Sequence, residues 1–168
     1  TTRFRNGDII GEVRDSVAWF NCIKYPDSTG VPAWCYFNND PRNDVIYGKL
    51  YNVYNVIDRR NIAPVGWHVP AISEWETLTD NLGGWTVAGK EAKATILWNN
   101  SPGVMNTNSS GFTGLPSGGR VNVGFNGSVG ISEFRGLGNV GEWWSTTPIG
   151  GTLNGNKGAS LNNISDSF

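Results

Sequence analysis

Histidine occurs once in this sequence, at His68, and cysteine twice, at Cys22 and Cys35. One imidazole cannot form a histidine cluster around zinc, and neither cysteine has the CxxC spacing of a metal or redox site. Apolar residues never run for the roughly 18 positions that a membrane helix requires, so no span is expected. Charge is sparse too: 13 basic against 14 acidic residues leave a net charge of -1, without the basic stripe that marks nucleic-acid binders. The opening TTRFRNGDII has no apolar h-region and is not a signal peptide, so either the protein is cytoplasmic or a leader has been removed. No GxSxG elbow, P-loop or GxGxxG stands between a strand and a helix, and Gly118-Gly119-Arg120 lacks the lysine and spacing of a phosphate loop. No catalytic residue and no cofactor are expected.

What remains is rich in glycine, asparagine and tryptophan. Twenty-three glycines and eight tryptophans with 16% charged residues describe a single loop-rich domain over residues 1–168, whose aromatics hold irregular backbone. That composition favours export. A Cys22–Cys35 bridge would close a short loop and stabilise by roughly 3 kcal/mol; two buried free thiols are the alternative.

Short strands and turns are expected through Tyr36. Tyr47, Leu50, Tyr51 and Tyr54 then fall at i, i+3, i+4 and i+7, the spacing of one amphipathic helix facing the core. A second helix is expected over 73–82, with Ser73 as N-cap, Glu76 at N3, and Trp75, Leu78 and Leu82 on one face. Glu74 and Glu76 read as capping charges near its N-terminus. The stretch 89–98 suits a short helix or strand. Irregular chain rich in Asn, Ser and Gly is expected over 99–130, interrupted by a strand at 121–125.

His68, within GWHVP, fits a turn-locking imidazole bonded to backbone better than a general base. In GNVGEWW, residues 138–144, Asn139 and Glu142 admit a calcium site or a buried acid tying down a glycine turn, and the residues favour the second. Trp143 and Trp144 must face opposite ways on a strand. Each indole, if buried, is expected to cost roughly 3–5 kcal/mol on replacement by alanine.

Six segments, TTRFRNGDII, PAWCYFNND, YGKLYNVYNVID, PVGWHVPAISEWETLTDNLGG, NSSGFTGLPSGGR and GNVGEWWSTT, together resemble the Fibrobacter succinogenes major paralogous domain. That family occurs in Bacteroidota and Fibrobacterota, mostly in secreted proteins and surface lipoproteins. It is in turn similar to the formylglycine-generating enzyme fold, a variant of the C-type lectin fold, whose "GR-x-PTEAEWE" and "GNVWEW" segments correspond to WHVPAISEWETL and GNVGEWWS here. The fold implied is α+β and C-type lectin-like: two helices on a short, twisted antiparallel sheet, with long irregular loops, and with one indole of the Trp143–Trp144 pair under the helices and the other under the long loops.

Three departures bear on function. The enzyme's copper-binding cysteine pair lies late in its chain, and no cysteine follows Cys35 here. An asparagine calcium ligand of the enzyme corresponds to Arg135, a cation, which argues against calcium. The family's usual last strand, resembling "GFSVRC", is not reached by Phe168, and its cysteine would have been a rival partner for Cys35.

The function implied is a non-catalytic module at the extracellular or outer-membrane surface that binds a glycan or a surface protein. The expected contact surface is Trp98, Asn99, Asn100, Asn106, Asn108, Asn154 and Asn156, on variable loops suited to adaptable recognition. Trp67, His68, Trp75, Asn139, Glu142, Trp143 and Trp144 are expected to form the structural hub. The alternatives are an accessory subunit of an outer-membrane complex or surface filament, partnered through an open strand edge, and an enzyme of the formylglycine-generating group.

Overall fold

Left-handed backbone positions break this chain at short intervals, and the elements between them are correspondingly short. Gly48 has φ 74° and ψ −146°, a region that L side chains avoid, and it interrupts the tyrosine stripe expected to form one helix. The structure, a computed structural model, describes residues 1–22, 30–124, 130–148 and 157–168. Within them the order begins with β1 (Gly11–Glu12), α1 (Ser16–Cys22), β2 (Ala33–Cys35), a 3-10 turn (Phe37–Asn39), α2 (Asn43–Tyr47), β3 (Leu50–Tyr51) and α3 (Tyr54–Ile57). It continues with α4 (Ile72–Asn81), α5 (Ala88–Ala92), β4 (Ser117–Val123), β5 (Ile131–Leu137), β6 (Val140–Trp144) and β7 (Lys157–Asn162). This is a mixed α/β arrangement, compatible with the α+β class. The single tyrosine helix is corrected to α2, β3 and α3.

Three small sheets replace one continuous sheet. β2 pairs parallel with β1 and antiparallel with β3. β4 pairs with β5, setting Gly119 opposite Arg135. β6 pairs with β7, setting Glu142 opposite Ser160, and the register shifts between Trp143 and Trp144. The expected strand at 121–125 is therefore the end of a longer one that starts at Ser117; Phe125 lies outside the described residues.

The second expected helix forms, two residues earlier at its start than the capping pattern implied. Its N-cap is Ala71, which has no side-chain acceptor. Glu74 occupies N3 and its Oε2 accepts the Ala71 N–H at 2.8 Å, while Thr147 Oγ1 accepts the Ile72 N–H at 3.1 Å. A carboxylate inside the helix and a hydroxyl from a distant loop thus satisfy the N–H groups of Ala71 and Ile72, upstream of the Trp75 and Glu76 donors that a Ser73 cap would have served.

The core is divided into three clusters. Trp75 of α4 lies 5.8 Å from Phe112, 5.9 Å from Phe168 and 6.5 Å from Trp143, between ring centroids. Ala88, Ala92 and Ala94 pack on the same cluster. Small residues let α5 approach closely, and a Cβ on Gly89 would collide with the carbonyl of Ser167. Fully buried Lys93 donates to Asn162 O at 3.1 Å and Ser165 O at 2.6 Å, and burial pushes its pKa down. The second cluster gathers Phe4, Ile10 and Trp34. The third gathers Trp19, Ala33 and Cys35, with Cys22 packed against it. Both cysteines are free thiols, and burial pushes each pKa up.

Arg120 joins β4 to the approach to α1. Its guanidinium donates to Val13 O at 2.7 Å, Arg14 O at 2.8 Å, Asp15 O at 3.0 Å and Ser132 Oγ at 2.9 Å. It also lies 4.7 Å from the ring centroids of Trp19 and Phe134. Replacing it with methionine keeps the stem but removes the partner of Val13 O, while Arg14 O still accepts from Asn39 Nδ2 and Asp15 O from the Trp19 N–H, so Arg120→Met is expected to lower stability by about 2 kcal/mol. Urea denaturation reads this directly, and a loss below about 0.5 kcal/mol would remove Arg120 from the framework.

Candidate functional site

The hydrogen bond from Trp144 Nε1 to Tyr51 O, 2.8 Å long, connects the sheet of β6 and β7 to that of β1, β2 and β3. A cavity opens on each side of this connection. The first is a cleft of about 460 Å³ that includes Tyr47, Lys49 and Tyr51 on one wall, Gly118, Gly119 and Arg120 on another, and Glu142, Trp144 and Ser160 on a third. The second is a groove of about 440 Å³ that includes Val56, Ile62, Val69 and Pro70, with His68 beside them. Tyr51, Trp143 and Trp144 face both.

Why two adjacent tryptophans serve the same cavities follows from the shift in register between them. A bulge adds local twist and re-aims a side chain, which relaxes strict alternation. Trp143 reaches the first core cluster and lies 5.2 Å from Phe112. Trp144 is half-buried and turned toward β3. The expected division into a helix side and a loop side thus becomes a division between core and cleft.

The cleft combines flat apolar faces with charged and hydroxyl groups. Lys49 has a side chain only 13% exposed, with Nζ 2.6 Å from Asp44 Oδ1. The ammonium also lies 5.3 Å from the Trp34 ring centroid and 5.1 Å from that of Tyr36, so aromatic faces and one carboxylate hold it in place. Tyr51 donates its hydroxyl to Thr1 O at 2.6 Å, and burial pushes its pKa up to about 12. Glu142 is exposed, which corrects the expectation of a buried acid. A Cβ on Gly119 would stand 3.3 Å from Glu142 Oε2, so the missing side chain keeps this part of the cleft open.

At the groove, His68 Nε2 lies 2.7 Å from Glu74 Oε1, a side-chain partner where a backbone one was expected. The Ala71 N–H, followed by His68, holds the Glu74 carboxyl below its usual range. Trp67 is 73% exposed and leaves the predicted hub, because its own N–H closes a turn onto Pro64 O at 3.0 Å and aims the indole outward. Trp75, Trp143 and Asn139 stay within the framework. Asn139 Oδ1 accepts from Asn99 Nδ2 at 3.0 Å, and the Gly138 N–H reaches Pro116 O at 3.0 Å. These contacts hold the glycine turn that Glu142 was expected to hold.

Among the described residues the predicted contact surface does not come together as one. Trp98 is 8% exposed and donates Nε1 to Gly114 O at 3.0 Å: it is core, not contact surface. Asn108 braces its own loop, accepting from the Thr113 N–H at 2.7 Å and donating to Thr113 Oγ1 at 2.9 Å. Asn99 is spent on the Gly138–Asn139 turn, its N–H reaching Gly138 O at 2.7 Å. Asn106 Oδ1 is buried without a hydrogen-bond partner. Asn100 is exposed, and Asn154 and Asn156 lie outside the described residues. Residue-type reasoning missed Tyr47, Lys49, Gly119 and Ser160 as cavity walls. The GGR segment was the available signal: its glycines leave the space and its arginine braces the wall.

Among the described residues no three His, Cys, Asp or Glu side chains are grouped so as to hold a metal ion, and no helix is long and apolar enough to cross a membrane. The sequence matches the family model described as the Fibrobacter succinogenes major domain over residues 1–162. No curated protein and no solved structure matches the chain.

Both indoles are half-buried; Trp143→Ala is expected to cost about 3–5 kcal/mol because its ring packs on the first core cluster, and Trp144→Ala less, about 1–3 kcal/mol, because its ring faces the cleft. Chemical denaturation of both variants checks the order, and equal losses would contradict the assignment of one ring to core and one to cleft. Glu74→Gln should lower the melting temperature at pH 7. Its depressed carboxyl contributes stability above the unfolded pKa that is lost as pH falls through the folded one. The difference from the parent chain should therefore shrink in acid, and a difference that grows in acid would refute the linkage.

Proposed function

We propose that this chain, which belongs to the Fibrobacter succinogenes major domain family, is a non-catalytic binding module, secreted or held on the bacterial surface, that takes a glycan in the cleft beside Trp144. The observation that carries this reading is the wall chemistry of that cleft. Trp144 and Tyr47 offer flat apolar faces to sugar C–H surfaces, while Lys49, Glu142 and Ser160 stand beside them to meet hydroxyls. Its volume of about 460 Å³ falls within the range of small-ligand sites, which set a few polar groups in largely apolar walls. The recognition surface is thereby moved from the Asn-rich loops, whose residues brace one another, to the junction of three sheets. A C-type lectin-like scaffold akin to that of the formylglycine-generating enzymes is part of the proposal, as is the placement of the module outside the cell.

A second reading, an accessory subunit of an outer-membrane complex or surface filament, draws on the exposed Trp67 and Val65. They lie in the segment that Arg5 fastens through Pro64 O at 3.0 Å and Trp67 O at 2.9 Å, so these apolar side chains are held outward on an anchored turn.

A glycan array followed by calorimetry tests the first reading. Gly119→Leu is the decisive variant: its nearest obstacle is the flexible Glu142 carboxylate, so it should fill the cleft while the melting temperature holds. Binding should fall at least tenfold, about 1.4 kcal/mol. Unchanged affinity in Gly119→Leu would place the site elsewhere, and a wild-type chain that ignores glycans yet captures a surface protein through Trp67 would favour the second reading.

A further inference from the structure

Three of the buried tryptophans place their indole N–H on a carbonyl: Trp34 on Ile10 O at 3.0 Å, Trp75 on Trp144 O at 3.4 Å and Trp98 on Gly114 O at 3.0 Å. The fourth, Trp19, is 2% exposed and lines the cleft, and among the described residues its Nε1 has no hydrogen-bond partner. A buried N–H of this kind costs stability until an acceptor reaches it. Two cations line the same cleft. Arg120 lies over the Trp19 ring, 4.7 Å from its centroid, and among the described residues no carboxylate forms an ion pair with it. Lys49, its side chain 13% exposed, bonds one acceptor, Asp44 Oδ1, and an ammonium has three N–H groups to place.

We infer, resting on the glycan reading of the cleft, that the sugar it takes is acidic: one bearing an anionic oxygen group, a carboxylate or a sulfate ester, that accepts from Trp19 Nε1 while Lys49 and Arg120 balance its charge. Tryptophan, lysine and arginine side chains donate hydrogen bonds and cannot accept them. A neutral hydroxyl brings a proton along with its lone pairs, and these three groups have no place for the proton. An anionic oxygen brings acceptors alone, and hydrogen bonds to it are the stronger kind. The charge of Lys49 is already answered by Asp44, so it is the Arg120 guanidinium that gains most from an anion beside it. Glu142 and Ser160, on the third wall of the cleft, remain for the hydroxyls of the ring.

The test is calorimetric titration of the full chain with matched sugars. The neutral members are the methyl β-glycosides of glucose and galactose. The acidic members are the corresponding glucuronide and galacturonide and the 6-sulfate esters of the two neutral glycosides, with acetate and inorganic sulfate as sugar-free anions. An acidic sugar should bind at least about tenfold tighter than its neutral parent, and the tighter of uronate and sulfate ester identifies the group. Trp19→Phe keeps a ring beside Arg120 and deletes the N–H; Lys49→Gln deletes a charge on another wall. Each should reduce the acidic-over-neutral preference to about threefold or less. Near-ultraviolet circular dichroism reports whether each variant folds, and Lys49→Gln carries the test alone should the core variant unfold.

Neutral sugars that bind as tightly as their acidic counterparts, or more tightly, would overturn the acidic ligand and leave the glycan reading standing. So would a preference for acidic sugars that persists undiminished in the folded variants, since the anion would then be held away from these residues. Acetate or sulfate binding as tightly as the acidic sugars would overturn both the glycan reading and the acidic sugar built on it, and so would a chain that binds none of the sugars.

Discussion

The guanidinium of Arg120 is the contact on which the remaining architecture depends. A parallel pair two residues long, a tight helix of seven and a separate hairpin have little reason to assemble by themselves, since short strands bury little surface. Arg120 supplies the reason by collecting three successive carbonyls, Val13 to Asp15, with one planar fork. Only arginine combines that many fixed donors with a face that rests on aromatic rings, and here it rests on both Trp19 and Phe134. The carbonyls lie just ahead of α1 (Ser16–Cys22), so the same contact that positions β4 also sets where that helix starts.

Polar side chains do comparable work elsewhere in the chain. Asn52 and Asn55 are buried beside β2 and bond its backbone, Asn52 Oδ1 accepting from the Ala33 N–H at 3.2 Å and Asn55 Nδ2 reaching Ala33 O at 2.8 Å. They substitute for ladder partners that so short a sheet cannot provide. Lys93 performs the same service for the carbonyls after β7. Charge and amide groups, which composition alone assigns to the surface, are here part of what holds the inside together.

Some of this was legible in the sequence and some was not. The helix around Trp75 was, because its apolar face repeats at helical spacing and glycines follow it. Its first residue was not, because the Ile72 N–H at that end is met by Thr147, more than seventy residues away. The tyrosine stripe misled because spacing records which residues share a face only while the backbone stays helical, and Gly48 does not. Trp98 and Trp67 exchanged roles for a similar reason: the turn geometry that aims each ring is set by partners that are not sequence neighbours. The cleft was the least legible feature, since it is made largely by the absence of a side chain at Gly119 and by strands brought together from four parts of the chain.

The division of the core has a consequence for how the molecule responds to a ligand. Trp143 packs on the first hydrophobic cluster, Tyr51 on the second and Leu50 on the third, and all three residues line the cleft. Separate clusters can loosen at different free energies, so the free chain is expected to open in pieces. An occupant of the cleft touches all three at once and would make their opening a single event. Were the cleft to take the ligand proposed for it, binding would register as cooperativity, a sharpening of the melting transition together with a rise in its midpoint, because such an occupant would bridge clusters that the chain leaves apart.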